Sequence, residues 1–261
     1  MIFDSHAHYD DSAFDADRDF LLSSMNDNNI MNIVNVSSNY SSIFSTIEIC
    51  DKYNYIYGAL GIHPSDCGDL SEKEFNEIEK LLNHPKIVSV GEIGLDYHYD
   101  TPSPDIQKKW FAYQLNMAKN NKLPVIIHSR DAAKDTYDIM IAEKANEIGG
   151  VIHCYSYSVE MARDYLNLGY YIGIGGVVTF KNAHKLIDVV KYIPLDRIVI
   201  ETDSPYLSPT PFRGERNSSL NLPLVIQKIA EIKELTVEKV ESTVFENTLN
   251  LYNIKGKICQ N

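Results

Sequence analysis

Eight times along the chain a short apolar, β-branched run is followed by a longer stretch with helical spacing, and few architectures tolerate that rhythm. The runs cover residues 2–8, 30–36, 55–62, 87–93, 123–128, 150–153, 170–174 and 197–202. Strands that alternate with helices pair in parallel, because each crossover returns the chain to the same end of the sheet. Between the runs, residues 72–82 set Phe75, Ile78, Glu79 and Leu82 at three- and four-residue steps, one face of a helix. Ser71 before it and Glu74 three residues on form a capping-box signal. Residues 105–121 and 132–148 read the same way, and 220–233 and 236–252 read as two closing helices. Eight βα units closed into a barrel need about 250 residues, and the chain has 261. The expectation is one α/β domain over residues 1–261, a (β/α)8 TIM barrel. No GxGxxG follows the first run, which argues against an open dinucleotide-binding sheet.

Composition narrows the function. No run of ~18 apolar residues occurs, so no membrane span is expected. The start, MIFDSHAHYD, lacks the basic patch and apolar stretch of a secretory signal. Cys50, Cys67, Cys154 and Cys259 show no CxxC pairing, so reduced thiols in a cytoplasmic protein are expected. The net charge of −12 argues against a broad footprint on duplex DNA. It leaves room for a local site where metal ions supply the positive field.

The apolar runs end in metal-type ligands. His6 and His8 close the first run, and side chains at i and i+2 of a strand share a face ~7 Å apart. Glu92 ends the fourth run, His128 the fifth and His153 the sixth, while Asp203 follows the eighth. In a barrel all six reach the C-terminal rim, where such folds place their active sites. Four imidazoles and two carboxylates suit zinc, manganese, iron or nickel, and magnesium less well. They exceed one tetrahedral ion's needs and match two divalent cations sharing a bridging carboxylate. Glu92 is the expected bridge, with His6, His8 and Asp203 on one ion and His128 and His153 on the other. Two carboxylates against two divalent ions leave the site net positive, which suits a phosphate substrate.

At these residues the sequence resembles the TatD family of metal-dependent deoxyribonucleases, in the amidohydrolase superfamily. The matching segments are DSHAHYD from Asp4, GIHP from Gly61, GEIGLDYH from Gly91, HSRDA from His128, HCYS from His153, ETDSPYLSP from Glu201 and RGERN from Arg213. They span essentially the whole chain in family order. The resemblance implies a (β/α)8 barrel, a divalent-metal site at the six positions and nuclease activity toward DNA. Two departures stand out. Tyr157 occupies a position where the family usually has glycine, adding bulk beside His153, and Ser218 and Ser219 replace the usual Glu-Pro. Both bear on substrate preference, since neither is a ligand.

Further roles follow from position. Asp203 is the candidate general base as well as a ligand, since a carboxylate beside metal-activated water can take its proton; with Glu92 it forms the expected catalytic pair. His63, Arg130, Arg213 and Arg216 are candidate substrate contacts: guanidinium forks fit phosphate, and His63 ends the third run at the same rim. Asp4 and Asp96 read as partners that orient ligands. Tyr97 and His98 open a loop that lines the groove or covers the mouth, and His84 and His184 read as surface residues of connecting segments. Cys154 turns away from the ion by strand alternation.

The expected activity is phosphodiester hydrolysis in DNA, exonucleolytic on single-stranded ends, by a cytoplasmic monomer. An amidohydrolase acting on a small molecule, an ester or an aminoacyl-tRNA is the nearest alternative. Some dinuclear relatives bridge their metals with a modified lysine, whereas here no lysine ends the fourth or fifth run. A PHP-type phosphoesterase also begins with HxH but needs further ligands that the chain does not place. A metal-binding scaffold is the non-enzymatic reading.

Overall fold

In a computed structural model, which describes residues 1–99 and 101–254, the eight apolar runs are eight parallel strands hydrogen-bonded in sequence order. They are β1 (Ile2–Ala7), β2 (Ile30–Val36), β3 (Ile56–Leu60), β4 (Ile87–Asp96), β5 (Val125–Arg130), β6 (Gly150–Ile152), β7 (Tyr171–Ile174) and β8 (Ile198–Ile200). Helices α1 (Arg18–Ser23), α2 (Tyr40–Lys52), α3 (Glu72–Leu81), α4 (Pro104–Asn121), α5 (Ala133–Ala142), α6 (Val159–Asn167), α7 (His184–Tyr192), α8 (Leu222–Lys233) and α9 (Val237–Leu251) lie between and after them. The result is a nearly closed TIM barrel. No helix among the described residues is long and apolar enough to cross a membrane. Cys50, Cys67 and Cys154 are free thiols, and Cys259 lies outside the described residues.

Period-two alternation divides the apolar residues between two cores. Phe3, Val34, Tyr57, Val88, Ile126, Val151 and Val199 fill the barrel interior, which Phe245, Leu249 and Tyr252 at the end of α9 seal from below. Ile33, Ile93, Ile127 and Ile172 pack outward against the helices. The capping box at α3 forms as expected, with Ser71 and Glu74 bonding each other's ends of the turn. The stretch at 132–148 is shorter as a helix than its periodicity suggests. It ends at Ala142, and Lys144 takes a left-handed φ of 55° before a short 3-10 turn. His184 starts α7 and is exposed, so it lies on the surface but not in a connecting segment.

Two irregularities aim the site. Val90 pairs with Val125 and Ile93 with Ile127, so three steps along β4 match two along β5. The extra residue is a bulge at Gly91–Glu92, which turns Glu92 into the barrel mouth. A β-carbon on Gly91 would lie 2.6 Å from Ile126 Cβ, and one on Gly94 (φ 145°) would strike the His128 carbonyl oxygen at 1.9 Å. The GEIG segment therefore needs both glycines so that β5 can approach. A second shift lies in β1 between Asp4 and Ala7, around His6.

Closure runs through the chain just beyond β8. Asp203 N–H donates to the His6 carbonyl at 3.0 Å and His8 N–H to the Ser204 carbonyl at 2.8 Å. Asp4 fastens this seam. Its buried carboxylate accepts from His6 N–H (3.2 Å), Thr202 N–H (3.1 Å), the Thr202 hydroxyl (2.7 Å) and the Ser219 hydroxyl (2.6 Å). Removing that acceptor strands two backbone donors in a dry seam, each costing about 1–3 kcal/mol. We expect Asp4→Ala to destabilise the protein by about 3 kcal/mol, measured by urea unfolding; an unchanged midpoint would show that the seam does not depend on this carboxylate.

Candidate metal centre

The six expected ligands meet at one end of the barrel. His6, His8 and His153 come from the ends of β1 and β6 and Asp203 from the turn after β8. Glu92 lies within β4 and His128 within β5, since both strands run on past the residues expected to end them. The side chains converge on Glu92. Its Oε1 lies 2.7 Å from His128 Nδ1 and 2.8 Å from His153 Nε2. Its Oε2 lies 3.5 Å from His6 Nε2 and 3.7 Å from His8 Nε2. The two β1 nitrogens are 3.0 Å apart, and Asp203 Oδ1 sits 3.6 and 3.4 Å from them. His6 and His153 stack with ring centroids 4.0 Å apart. Asp203 itself holds a left-handed φ of 57°, a conformation that Asp tolerates better than most residues.

Proton bookkeeping shows what belongs at the centre. His8 Nδ1 lies 2.7 Å from the Val36 carbonyl, which can only accept, so Nδ1 carries the proton and Nε2 offers a lone pair inward. His128 Nε2 faces Asp96 Oδ2 at 3.1 Å, and His153 Nδ1 faces Glu201 Oε1 at 3.6 Å. For His8 and His128 an outer acceptor fixes the tautomer while the other nitrogen points in, which is how metal-binding histidines are held, and Glu201 gives His153 an acidic neighbour on the same side. The inward nitrogens meet carboxylate oxygens, so only protons or a cation reconcile them. With protons alone, burial would lower His8, but Asp203 and Glu92 outweigh it and raise it to about 9. His128 and His153 also shift upward against their burial. Burial would raise Glu92 and Asp203, yet the surrounding imidazoles hold both below the usual carboxylate range. Donor chemistry and geometry both fit a divalent cation, and His6, His8 and Asp203 form one grouping able to hold it.

The sequence reading missed Glu201. It lies within the ETDSPYL segment without an assigned role, yet its buried carboxylate backs His153 and accepts the Cys154 N–H. A β-carbon on Gly173 would meet it at 2.4 Å, so the glycine opposite makes its space. Its depth at the end of an apolar run was the only available signal. Asp96 holds His128 and accepts His98 N–H at 2.9 Å. Burial pushes the Cys154 thiol up to about 12, which disfavours a thiolate.

The remaining candidates separate. His63 joins the centre, its Nε2 3.9 Å from Glu92 Oε1 and its ring 4.3 Å from His128. Its Nδ1 accepts Ser65 N–H at 3.1 Å, so neutral His63 carries its proton on Nε2. Burial, with His128 nearby, lowers it to about 3. That tautomer makes His63 a donor toward the cavity and a poor ligand, although it groups with Glu92 and His128 by distance. Arg130 lines a cavity of about 620 Å³ over the centre, as do Asp203 and Tyr99. Arg213 and Arg216 are not among its lining residues. Arg213 stacks over Phe180, and Arg216 grips both Asp17 oxygens at 2.7 and 2.6 Å and also the Ala13 carbonyl. The mouth receives Tyr99, whereas Tyr97 bonds Asp135 and His98 is exposed beside Asp131. His84 pairs with Asp51 at 3.1 Å, away from the mouth. Tyr157 reaches toward β5, its hydroxyl bonded to Ser129 Oγ (2.9 Å) and Ala132 N–H (3.2 Å), so its bulk braces the end of β5 that carries Arg130. Ser219 is buried in the Asp4 seam.

Comparison with known proteins agrees with this geometry. The family model described as TatD related DNase matches residues 3–253. The chain is 42% identical over 254 residues to the uncharacterized metal-dependent hydrolase YabD of Bacillus subtilis, covering 97% of this chain and 100% of that one. It is 32% identical over 263 residues to the uncharacterized metal-dependent hydrolase YcfH of Escherichia coli, covering 100% and 98%. Among solved structures, the TatD homologue YjjV of Escherichia coli superposes with a TM-score of 0.91 at 29% identity, over 97% of this chain and 98% of that one. With five candidate ligands gathered around a sixth, Glu92, the chain belongs to the TatD-related DNase family and is a metal-dependent hydrolase.

Proposed function

We propose that this hydrolase cleaves phosphodiester bonds in DNA, working exonucleolytically from single-stranded ends, with two divalent cations (zinc, manganese or magnesium) on either side of Glu92. The observation that carries this reading is the division of the Glu92 carboxylate, Oε1 toward His128 and His153 and Oε2 toward His6 and His8. A carboxylate that presents each oxygen to a separate set of imidazoles suits a bridge. His6, His8 and Asp203 would hold one cation, and His128 and His153 the other. Bound there, divalent ions supply Lewis acidity toward a phosphoryl oxygen and lower the pKa of water toward ~7.

The chain's own residues do the rest. Asp203 stays anionic, because its imidazole neighbours outweigh its burial, and it lines the cavity where an attacking water loses its proton. His63, neutral and protonated on Nε2, donates to the leaving-group oxygen. Arg130 holds non-bridging phosphate oxygens at the cavity edge. The family description supports DNA as substrate. A mouth with one arginine supports strand ends, since duplex binders neutralise many phosphates with lysine and arginine. Action as a monomer in the cytoplasm is part of this reading.

End-labelled single-stranded DNA should be degraded to a ladder in the presence of magnesium, manganese or zinc. Asp203→Asn and Glu92→Gln should each lower the rate at least ~100-fold. A p-nitrophenyl ester and an aminoacyl-tRNA serve as controls; intact DNA with mutation-sensitive turnover of either would move the protein to ester or amide hydrolysis.

Proton competition gives a second test. Without a cation, His8 keeps its proton up to about pH 9, so cation binding must displace it. A raised histidine pKa opposes binding below that value, so apparent metal affinity should rise with pH from 7 toward 9. Calorimetry in buffers of different ionisation enthalpy should then record proton release at pH 7.5. An affinity flat across this range would contradict the proton-filled arrangement. Glu201→Ala should weaken metal binding ~10–100-fold through loss of the His153 partner, read by metal analysis after dialysis; full retention would reduce Glu201 to a packing residue.

A further inference from the structure

Outside the imidazoles of the centre, nearly every charged side chain on the cavity wall has the sign of the proposed substrate. Asp10, Asp11, Asp66, Glu92, Asp96 and Asp203 line it, and Arg130 is the only lysine or arginine among its described lining residues. Cations on Glu92 and Asp203 would offset the carboxylates beside them, but Asp10, Asp11 and Asp66 belong to none of the ligand groupings. A strand entering this mouth gains one guanidinium contact, whereas proteins that hold single strands by charge use a basic groove. Its remaining affinity must come from contacts that carry no charge.

Two aromatic faces at the mouth meet that requirement. Tyr99 is 55% exposed and Tyr206 54%, and both line the cavity. Tyr206 is held at both ends: its N–H donates to the Asp203 carbonyl at 2.8 Å and its hydroxyl to Asp11 Oδ2 at 2.9 Å. The ring is therefore fixed relative to the proposed base. Tyr99 lies three residues past Asp96, the partner of His128. The Arg130 guanidinium carbon sits 5.7 Å from its ring centroid, and His98 packs edge-on at 4.9 Å. The guanidinium lies over one face of the ring, so the other face is left for a base and the fork stands within reach of its phosphate.

We propose that Tyr99 and Tyr206 are stacking platforms for the bases of a single-stranded substrate, with Arg130 on a phosphate beside Tyr99. This rests on the nuclease reading and adds that stacking, more than charge, retains the strand. Base–aromatic stacking of about 1–3 kcal/mol corresponds to roughly 5- to 150-fold in affinity per base.

The experiment is steady-state cleavage of a short single-stranded oligonucleotide by the metal-loaded enzyme, compared with the same oligonucleotide carrying abasic residues at its end. Wild type, Tyr99→Ala, Tyr206→Ala and the two phenylalanine variants are measured. Each alanine variant should raise KM at least ~5-fold with kcat changed little, and Tyr99→Phe should restore the wild-type KM. Tyr206→Phe should keep most of the affinity, which separates stacking from a displaced loop. Abasic ends should raise the wild-type KM but add little in the alanine variants, because the ring and the base are one contact. The slope of log KM against log salt should be near ~0.7, that of one phosphate contact on a single strand. Wild-type KM in both alanine variants, fully additive penalties, or a slope of several units would overturn the proposal while leaving the nuclease reading intact. A wild-type enzyme that leaves every oligonucleotide whole yet hydrolyses the ester or aminoacyl-tRNA control would overturn both.

Discussion

A carboxylate buried near the axis of the barrel governs what surrounds it. Glu92 is 3% exposed, and a charge at that depth costs several kcal/mol unless it is compensated. Compensation comes from imidazoles at the ends of β1, β5 and β6, and three of those rings face an acceptor farther out. His8 has the Val36 carbonyl, His128 has Asp96, and His153 has Glu201. The layers nest, so a change to an outer carboxylate reaches the centre by releasing a ring. Six side chains from five strands thus form one electrostatic unit, which a two-layer open sheet could not close upon itself.

Regular alternation alone would not build that unit. The bulge at Gly91–Glu92 moves the side chain out of register with the wall of β4, and the shift around His6 acts similarly on β1. Both sit where a strand aims a candidate ligand, and the glycines that permit the β4 bulge serve packing as well as conformation. The barrel then closes through Asp203 and Ser204 instead of through β8 itself. Closure and ligation are consequently one event: the bond from Asp203 N–H to the His6 carbonyl seals the barrel and sets a ligand carboxylate opposite two imidazoles. Asp4, fastening the same seam, couples barrel stability to the shape of the centre.

How much of this the sequence carried depended on the range of the interactions. Strands were legible because burial on both faces leaves near-continuous apolar runs, and β2 spans the residues expected. Helices α3 and α4 were legible from spacing and capping, whereas α1, six residues long, and the Ser/Thr-rich α2 gave weak periodic signals. The ligands stood out because a charged or imidazole residue ending an apolar run has few structural reasons to be there. Pairings across the chain were not legible. Arg216 reads as a free phosphate fork until Asp17, 199 residues away, occupies it. Tyr157 reads as bulk beside His153 until its hydroxyl reaches Ser129. Glu201 shares a face with Asp203 by period-two spacing, as His6 does with His8, but Asp203 already completed the expected ligand set, so its neighbour was given no task.

The acidity of the chain follows the same division between short and long range. A net charge of −12 would oppose a polyanion if it acted at a distance, but at physiological salt exposed charges are largely screened beyond ~8 Å. For the proposed nucleic-acid substrate such a surface would offer no steering, and encounter would fall to the ~10⁵–10⁶ M⁻¹s⁻¹ of unsteered association. What binds must then be recognised inside the mouth, by contacts a few ångströms from Glu92. A cavity of about 620 Å³ with one arginine at its edge and two tyrosine faces admits a few nucleotides and offers a long duplex no track. On the proposed nuclease reading, selection of a free strand end would be the consequence of having positive charge only beside Glu92.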